Sequence, residues 1–305
     1  MKTRQLGKNG PQVSVLGFGA WPIGGGMGAV DETAASATVR AAIDHGITFL
    51  DTAQAYRGSE AIIGRALRDG YRARCFLASK VSGDYSPAAI MRACENSLRA
   101  LAVDCIDLYQ LHSWRNDQPV EDSLAAMLQL RDAGKIRFIG VSNYTVPQLE
   151  RALQAAPIHS VQNRHNAFDC EAESTVLPFC AKTGVGFLSH SPLAKGLLAG
   201  GYTTATTFPP EDERSAFRRF KGVEFAAYLN VVEELKAVAR DKGVTLIQLS
   251  LAWLLRLPAV TSVLVGAKSP AQIAGQAAAA DITFAPAEVA RIGSILARTP
   301  RTPER

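Results

Sequence analysis

The sequence predicts a (β/α)8 TIM barrel, and three observations carry that reading. Short apolar, β-rich runs alternate with longer stretches of helical periodicity, the βαβα signature of a parallel sheet. The runs number eight, the strand count of a closed barrel. Several of the helical stretches open with proline in the first turn, as at Ser86-Pro87 and Thr145-Val146-Pro147, where the missing N–H costs no hydrogen bond.

Taken in order, residues 2–14 read as a hairpin around Asn9-Gly10 that would close the bottom of the barrel. Strands are expected at residues 15–19, 48–52, 75–80, 106–112, 138–142, 160–163, 185–190 and 262–265, each a short apolar run bounded by turn residues. Helices are expected at 32–45, 60–67, 87–101, 120–133, 147–155, 173–182, 246–255 and 270–278. Residues 195–222, with their Thr-Thr-Ala-Thr-Thr-Phe-Pro-Pro series, fit neither period and read as a long loop of the kind that forms a lid or binding segment. An extra helix is expected at 286–297, and the tail from about residue 298, rich in Pro and Arg, is expected to be mobile.

The 305 residues are 47% hydrophobic and 20% charged, enough for a large core and against a disordered or disulfide-stapled chain. No Ser-rich, Pro-rich or charged linker interrupts the pattern, so residues 1–305 are expected to form a single domain. Met1 to Gly10 carries no apolar run of the secretory kind, and a cytoplasmic location is expected. The most apolar stretch, 246–267, is broken by Arg256 and Pro258 and reads as a helix followed by a strand rather than a membrane span. Five cysteines with no C-x-x-C pair signal neither a disulfide framework nor a zinc site, and no metal is expected. The net charge is +5, yet the basic groups Arg65, Arg68, Arg72, Arg74 and Arg298, Arg301, Arg305 are not interleaved with aromatics. They read as solvated faces, and no nucleic-acid partner is expected. The competing architecture is an open dinucleotide-binding sheet built on Gly17-Phe18-Gly19 and Gly24-Gly25-Gly26, but Pro22 and the triple glycine stand where its helix must open.

In a barrel the C-terminal strand ends converge on one face. Asp51 closes the second strand, Lys80 the third, His112 the fourth and Ser142-Asn143 the fifth, with Tyr56 in the loop five residues beyond Asp51. Singly, each has an ordinary role: a turn cap, a snorkelling amine, a core histidine, a packed ring. Together they form an acid–base system. A free tyrosine, with a pKa of about 10, is a poor proton donor at neutral pH. A lysine beside it favours the phenolate and is expected to lower that pKa, and an aspartate holds the ammonium in place. The histidine then orients a carbonyl oxygen.

These residues resemble the aldo-keto reductase family. The likeness is carried by Asp51-Thr52-Ala53-Gln54-Ala55-Tyr56-Arg57-Gly58-Ser59-Glu60, Ala78-Ser79-Lys80, Asp107 to His112, Gly134 to Tyr144, and Ser191 to Leu198, and it covers nearly the whole chain. It implies reduction of a small-molecule aldehyde or ketone by hydride transfer, with Asp51, Tyr56, Lys80 and His112 catalytic and Tyr56 the proton donor. It implies cofactor contacts from Gly19, Ala20, Trp21 and Asp51. Ser142, Asn143 and Gln162 would hold the nicotinamide carboxamide, and His190, Ser191, Pro192, Leu193, Lys195 and Gly196 would lie along the nicotinamide and pyrophosphate. Gly266, Lys268, Gln272 and Gln276 would surround the adenosine phosphate. Lys268, with the helix start at Pro270, favours NADPH over NADH.

Two positions depart from the family pattern. His190 stands where an aromatic commonly stacks on the nicotinamide, and Gln272 where arginine is frequent. Trp21, Tyr56, Tyr85, His112 and Trp114 are expected to wall the substrate pocket, with Phe208, Arg214 and Phe217 from the long loop. The alternative reading is a catalytically silent, NADPH-binding regulatory subunit similar to potassium-channel β subunits. A third is a barrel isomerase or lyase using Lys80 as a Schiff-base nucleophile, which leaves Tyr56 unexplained. The sequence leaves oligomeric state open.

Overall fold

An antiparallel hairpin leads into the first barrel strand. β1 (Thr3–Gln5) pairs with β2 (Gln12–Ser14), Thr3 opposite Ser14 and Gln5 opposite Gln12. The computed structural model describes residues 1–25, 28, 30–210 and 212–300. Arg301, Arg305 and the rest of the expected tail beyond Pro300, like Gly26 of the glycine run, lie outside the described residues.

Eight strands follow: β3 (Leu16–Gly19), β4 (Phe49–Asp51), β5 (Phe76–Val81), β6 (Ile106–Leu111), β7 (Ile136–Ser142), β8 (Ser160–Arg164), β9 (Gly186–His190) and β10 (Val260–Val265). Each is parallel to its sequence neighbour, and β10 pairs with β3 to close the barrel. The expected (β/α)8 architecture is the observed one, with every strand where the apolar runs placed it.

The crossover helices are α1 (Glu32–Asp44), α2 (Ser59–Ala66), α3 (Pro87–Leu101), α4 (Val120–Asp132), α5 (Val146–Ala155) and α6 (Val176–Thr183). Then come α7 (Gly222–Lys242), α8 (Leu246–Leu255), α9 (Pro270–Ala277) and α10 (Pro286–Leu296). None among the described residues is long and apolar enough to cross a membrane.

Two expectations need correction. The helix expected at 173–182 starts late: a short turn, Glu171–Glu173, is followed by a break, and α6 begins at Val176. Ser174 Oγ and Thr175 Oγ1 both donate to the Glu171 carbonyl, at 3.2 and 2.9 Å, the local bonding by which such residues compete with a helix. The sequence pattern also left residues 223–242 without structure, whereas α7 is the longest described helix. Its buried Phe225, Tyr228, Leu229, Val232, Leu235 and Ala239 do carry helical spacing. Two helices, α7 and α8, thus occupy the crossover between β9 and β10, where regular alternation predicts one.

The hairpin seals the N-terminal end of the barrel. Leu6 and Val13 are buried against Phe49, Ala78, Leu108, Leu188 and Leu264, which point into the barrel interior. Ser14 Oγ accepts the N–H groups of Thr48 and Phe49 at 3.1 and 3.0 Å, and Ser262 Oγ donates to the Ser14 carbonyl at 2.8 Å. Arg4 donates to the carbonyls of Leu255 (2.7 Å), Leu257 (2.9 Å) and Val260. Gly7 has φ +69°, and a Cβ there would lie 2.5 Å from the His159 carbonyl, so only glycine lets the turn seat.

Candidate active site

Polar side chains of β4, β5, β6 and β8 meet at the other end. Asp51 is the last residue of β4, Lys80 pairs across the sheet with Gln110, and Ser142 with Gln162. Lys80 is fully buried. Its three ammonium protons point at Asp51 Oδ1 (2.5 Å), the Thr52 carbonyl (2.9 Å) and the Tyr56 hydroxyl (3.3 Å). Asp51 Oδ2 accepts from Gln162 Nε2 at 2.9 Å and Gln110 Nε2 at 3.1 Å. A buried charge pair persists when its remaining lone pairs and protons are satisfied in this way.

Burial works to lower the pKa of Lys80, but Asp51 and then Tyr56 outweigh it and hold it above the usual lysine range. Lys80 therefore stays an ammonium. Tyr56 departs from expectation: burial raises its pKa by more than Lys80 lowers it, so the hydroxyl sits above the usual tyrosine value. The lysine acts in the expected direction, and desolvation of the phenolate is larger. Tyr56 keeps its proton at neutral pH.

The Tyr56 ring is held between two others. Trp21 meets it edge-on at 5.1 Å and His112 at 5.5 Å. Gly24 makes this approach possible, since a Cβ there would lie 2.5 Å from the Tyr56 carbonyl. Trp21 is 37% exposed and so forms the outer edge of the site. Ala20, just past Gly19 at the end of β3, donates its N–H to the Asp51 carbonyl at 2.9 Å. His112 follows β6, and its Nδ1 lies 2.6 Å from Ser82 Oγ. Burial, with help from Lys80, pushes its pKa down to about 3, so the imidazole is neutral.

A chain of neutral hydrogen-bonding groups runs from this cluster across β7 and β9. Ser142 Oγ donates to the Gln162 carbonyl at 2.8 Å. Asn143, at φ +59°, donates from Nδ2 to the His112 carbonyl (3.0 Å) and to Ser142 Oγ (3.1 Å). His190 Nε2 lies 3.0 Å from Asn143 Oδ1 and its Nδ1 3.1 Å from Ser191 Oγ. Burial foremost, then Arg164 and Lys80, push the His190 pKa down to about 3. Asn143 Oδ1 only accepts, so the neutral His190 carries its proton on Nε2 and accepts from Ser191 at Nδ1.

Beyond His190 the backbone is strained. Ser191, Ala194 and Lys195 have φ of +55°, +47° and +54°, costly for residues with a Cβ, and Gly196 has +98°. Pro192 is buried, and the Leu193 carbonyl accepts the N–H groups of Gly196 (2.9 Å) and Leu198 (3.2 Å). Tyr202 OH donates to the Lys195 carbonyl at 2.9 Å and packs so closely on Gly196 that a side chain there would clash. Arg214 in turn donates to Tyr202 OH at 2.5 Å and is bidentate to Asp212, while Lys195 Nζ pairs with Glu213 at 2.8 Å.

At the end of β10, Gly266 lies against Pro22, with no room for a Cβ. Gln276 Nε2 donates to the Gly266 carbonyl at 3.0 Å, and its Oε1 is buried with no partner among the described residues. Gln272 Oε1 accepts the Lys268 N–H at 2.7 Å, and Ser269 Oγ caps α9 by accepting the Gln272 N–H. Partial burial, then the charge of Arg214, hold the Lys268 ammonium below its usual pKa.

Of the expected pocket walls, the structure brings Trp21, Tyr56 and His112 together. Tyr85 is instead buried behind the loop after β6, its hydroxyl accepting the Ser113 N–H at 2.9 Å. Trp114 packs edge-on against Tyr144 at 5.3 Å. Arg214 is committed to Asp212, Tyr202 and the Phe208 ring, and Phe217 is buried beneath Lys195. Sequence reasoning singled out neither Gln110, Ser82 nor Tyr202. Gln110 had a signal: an uncharged amide in the fully buried run of β6, where Asp107 is the other strongly polar residue.

The sequence matches the model of the Aldo/keto reductase family over residues 15–297. It is 38% identical over 288 residues to the aldo-keto reductase YhdN of Bacillus subtilis, covering 90% of this chain and 87% of that one. Among solved structures it resembles the glycerol dehydrogenase AKR11B4 of Gluconobacter oxydans, with a TM-score of 0.89, 32% identity and coverage of 99% and 97%. It also resembles an aldo/keto reductase of Klebsiella pneumoniae determined with NADP and acetate, with a TM-score of 0.80, 30% identity and coverage of 100% and 99%.

Proposed function

The chain belongs to the aldo/keto reductase family of oxidoreductases, and from that premise we propose that it reduces small aldehydes or ketones to alcohols with NADPH, Tyr56 supplying the proton. The observation that carries this reading is the buried Asp51–Lys80 pair with the Tyr56 hydroxyl on its third proton. NADPH, when bound, supplies a hydride to the carbonyl carbon.

The chain's own groups handle the charge this creates. As the carbonyl oxygen becomes negative, the Tyr56 O–H bond breaks toward it and a C–O–H group results. The Lys80 ammonium stabilises the phenolate left behind, and Asp51, gripped by Gln110 and Gln162, keeps that ammonium aimed. Neutral His112 donates a hydrogen bond to the carbonyl oxygen and transfers no proton. Regeneration of Tyr56 takes a proton from solvent.

The residues present fit the cofactor. Ser142, Asn143 and Gln162 would meet a carboxamide with neutral donors and acceptors, and His190 stands beside them. The left-handed turn at Ser191, Ala194, Lys195 and Gly196 would turn backbone N–H groups toward a pyrophosphate. The buried Gln276 Oε1, without a partner among the described residues, suits an exocyclic adenine amine. Lys268, with Arg214 beside it, supplies positive charge for a 2′-phosphate, which favours NADPH over NADH. The exposed edge of Trp21 would meet the substrate.

The test is loss of NADPH absorbance with a panel of aromatic and aliphatic aldehydes, beside Tyr56→Phe. Turnover by the native chain and a loss of at least about 100-fold in the variant, with NADPH binding kept, is the expected result. NADPH binding without turnover would favour the regulatory-subunit reading, and failure to bind either nucleotide would overturn both.

A further inference from the structure

We infer that Ser82 is a positioning residue that sets the tautomer of His112, donating to Nδ1 so that the ring presents Nε2–H to the substrate oxygen; this rests on the reductase reading above. Ser82 and His112 are neighbours by strand register. Val81 pairs with Leu111 at the ends of β5 and β6, and the His112 N–H continues the ladder to the Val81 carbonyl at 3.1 Å. That register brings Ser82 Oγ to 2.6 Å from His112 Nδ1.

A neutral imidazole has one N–H and one bare nitrogen, and the partner of one decides what the other offers. A carbonyl oxygen only accepts, so His112 serves it only with the proton on Nε2. Nδ1 is then an acceptor and needs a donor. Backbone carbonyls and carboxylates, the usual second partners of histidine, would demand Nδ1–H and leave Nε2 bare. A carboxylate would also favour the imidazolium. A serine hydroxyl adds no charge and can donate, which suits a histidine kept neutral by burial beside Lys80. Two neighbours of the ring leave Nδ1 to Ser82: Tyr56 meets the ring edge-on, and Asn143 Nδ2 bonds the His112 carbonyl.

The test uses the full chain, uniformly labelled with 15N-histidine, together with Ser82→Ala and Ser82→Thr. In the native protein the 15N shifts of His112 are expected to report a bare Nδ1 and a protonated Nε2. Ser82→Ala should mix the tautomers and lower kcat/KM for benzaldehyde by about 3- to 10-fold, the size of one neutral hydrogen bond, with the Kd for NADPH unchanged. Ser82→Thr should restore both. A native His112 protonated on Nδ1, or a Ser82→Ala enzyme with native tautomer and turnover, would overturn the inference. If the native chain reduces no carbonyl, the reductase reading fails, and the 15N shifts still decide what Ser82 does to His112.

Discussion

Lys80 Nζ lies 2.5 Å from Asp51 Oδ1, and the other carboxylate oxygen is held by the amides of Gln110 and Gln162. The pair is thus fully enclosed by partners. Removing one member leaves the other buried without its counter-charge, which costs about 3–5 kcal/mol. Lys80→Met should destabilise the fold by that order in urea, and Asp51→Asn combined with Lys80→Met should recover most of it. Neither protein should reduce an aldehyde. A single variant as stable as the native chain would show that the pair is not closed to water.

Acid should weaken the fold through two histidines. His112 and His190 are both pushed down to about 3, whereas an unfolded histidine titrates near 6.5. The unfolded chain therefore takes up these protons first as pH falls. Their contribution to stability is intact above about pH 6.5 and is lost progressively between there and about pH 3. Urea midpoints between pH 7 and pH 5 should fall less steeply in a variant with both replaced by glutamine.

Cofactor choice should turn on Lys268. Lys268→Ala is expected to raise the Kd for NADPH by about 10- to 100-fold, the worth of a charge-assisted hydrogen bond, and to leave the Kd for NADH near its native value. Fluorescence titration with both nucleotides reads the ratio. Equal loss for the two would place Lys268 away from the 2′-phosphate.

The strained turn at Lys195 and Gly196 is braced by Tyr202, whose hydroxyl bonds the Lys195 carbonyl and accepts from Arg214. Tyr202→Phe keeps the ring in its aromatic cluster with Phe208 and Phe220 and removes only the brace. The expected outcome is NADPH binding weaker by about 3- to 10-fold with kcat unchanged. Loss of kcat in the same proportion would mean that the turn also positions the reacting atoms.

The barrel was legible because strand periodicity and count are local properties, and the eight apolar runs declared themselves one by one. The Asp51, Tyr56, Lys80 and His112 cluster was legible for a related reason: strand ends in a closed parallel barrel converge whatever their spacing in sequence. What escaped was relational. Gln110 counts only because Asp51 Oδ2 lies beside it, and Ser82 only because β5 and β6 pair in one register. The net rise in the Tyr56 pKa depends on how much water the folded site excludes, which no residue type announces. α7 has helical spacing in its buried residues, but a one-strand, one-helix alternation predicts only a single helix between β9 and β10.

The hairpin at the closed end sets an order of events during synthesis. Arg4 finds its acceptors at Leu255, Leu257 and Val260, some 250 residues later in the chain, and Ser14 waits for Ser262. Residues 3–14 leave the ribosome well before these partners are made and can reach them only late. Until β10 arrives, Leu6 and Val13 have no finished cavity to enter, and a nascent chain carries them exposed. Contacts of such sequence separation slow folding and lengthen exposure to aggregation. Expression yield should therefore respond to changes at Arg4 and Leu6, far from any residue that touches the chemistry.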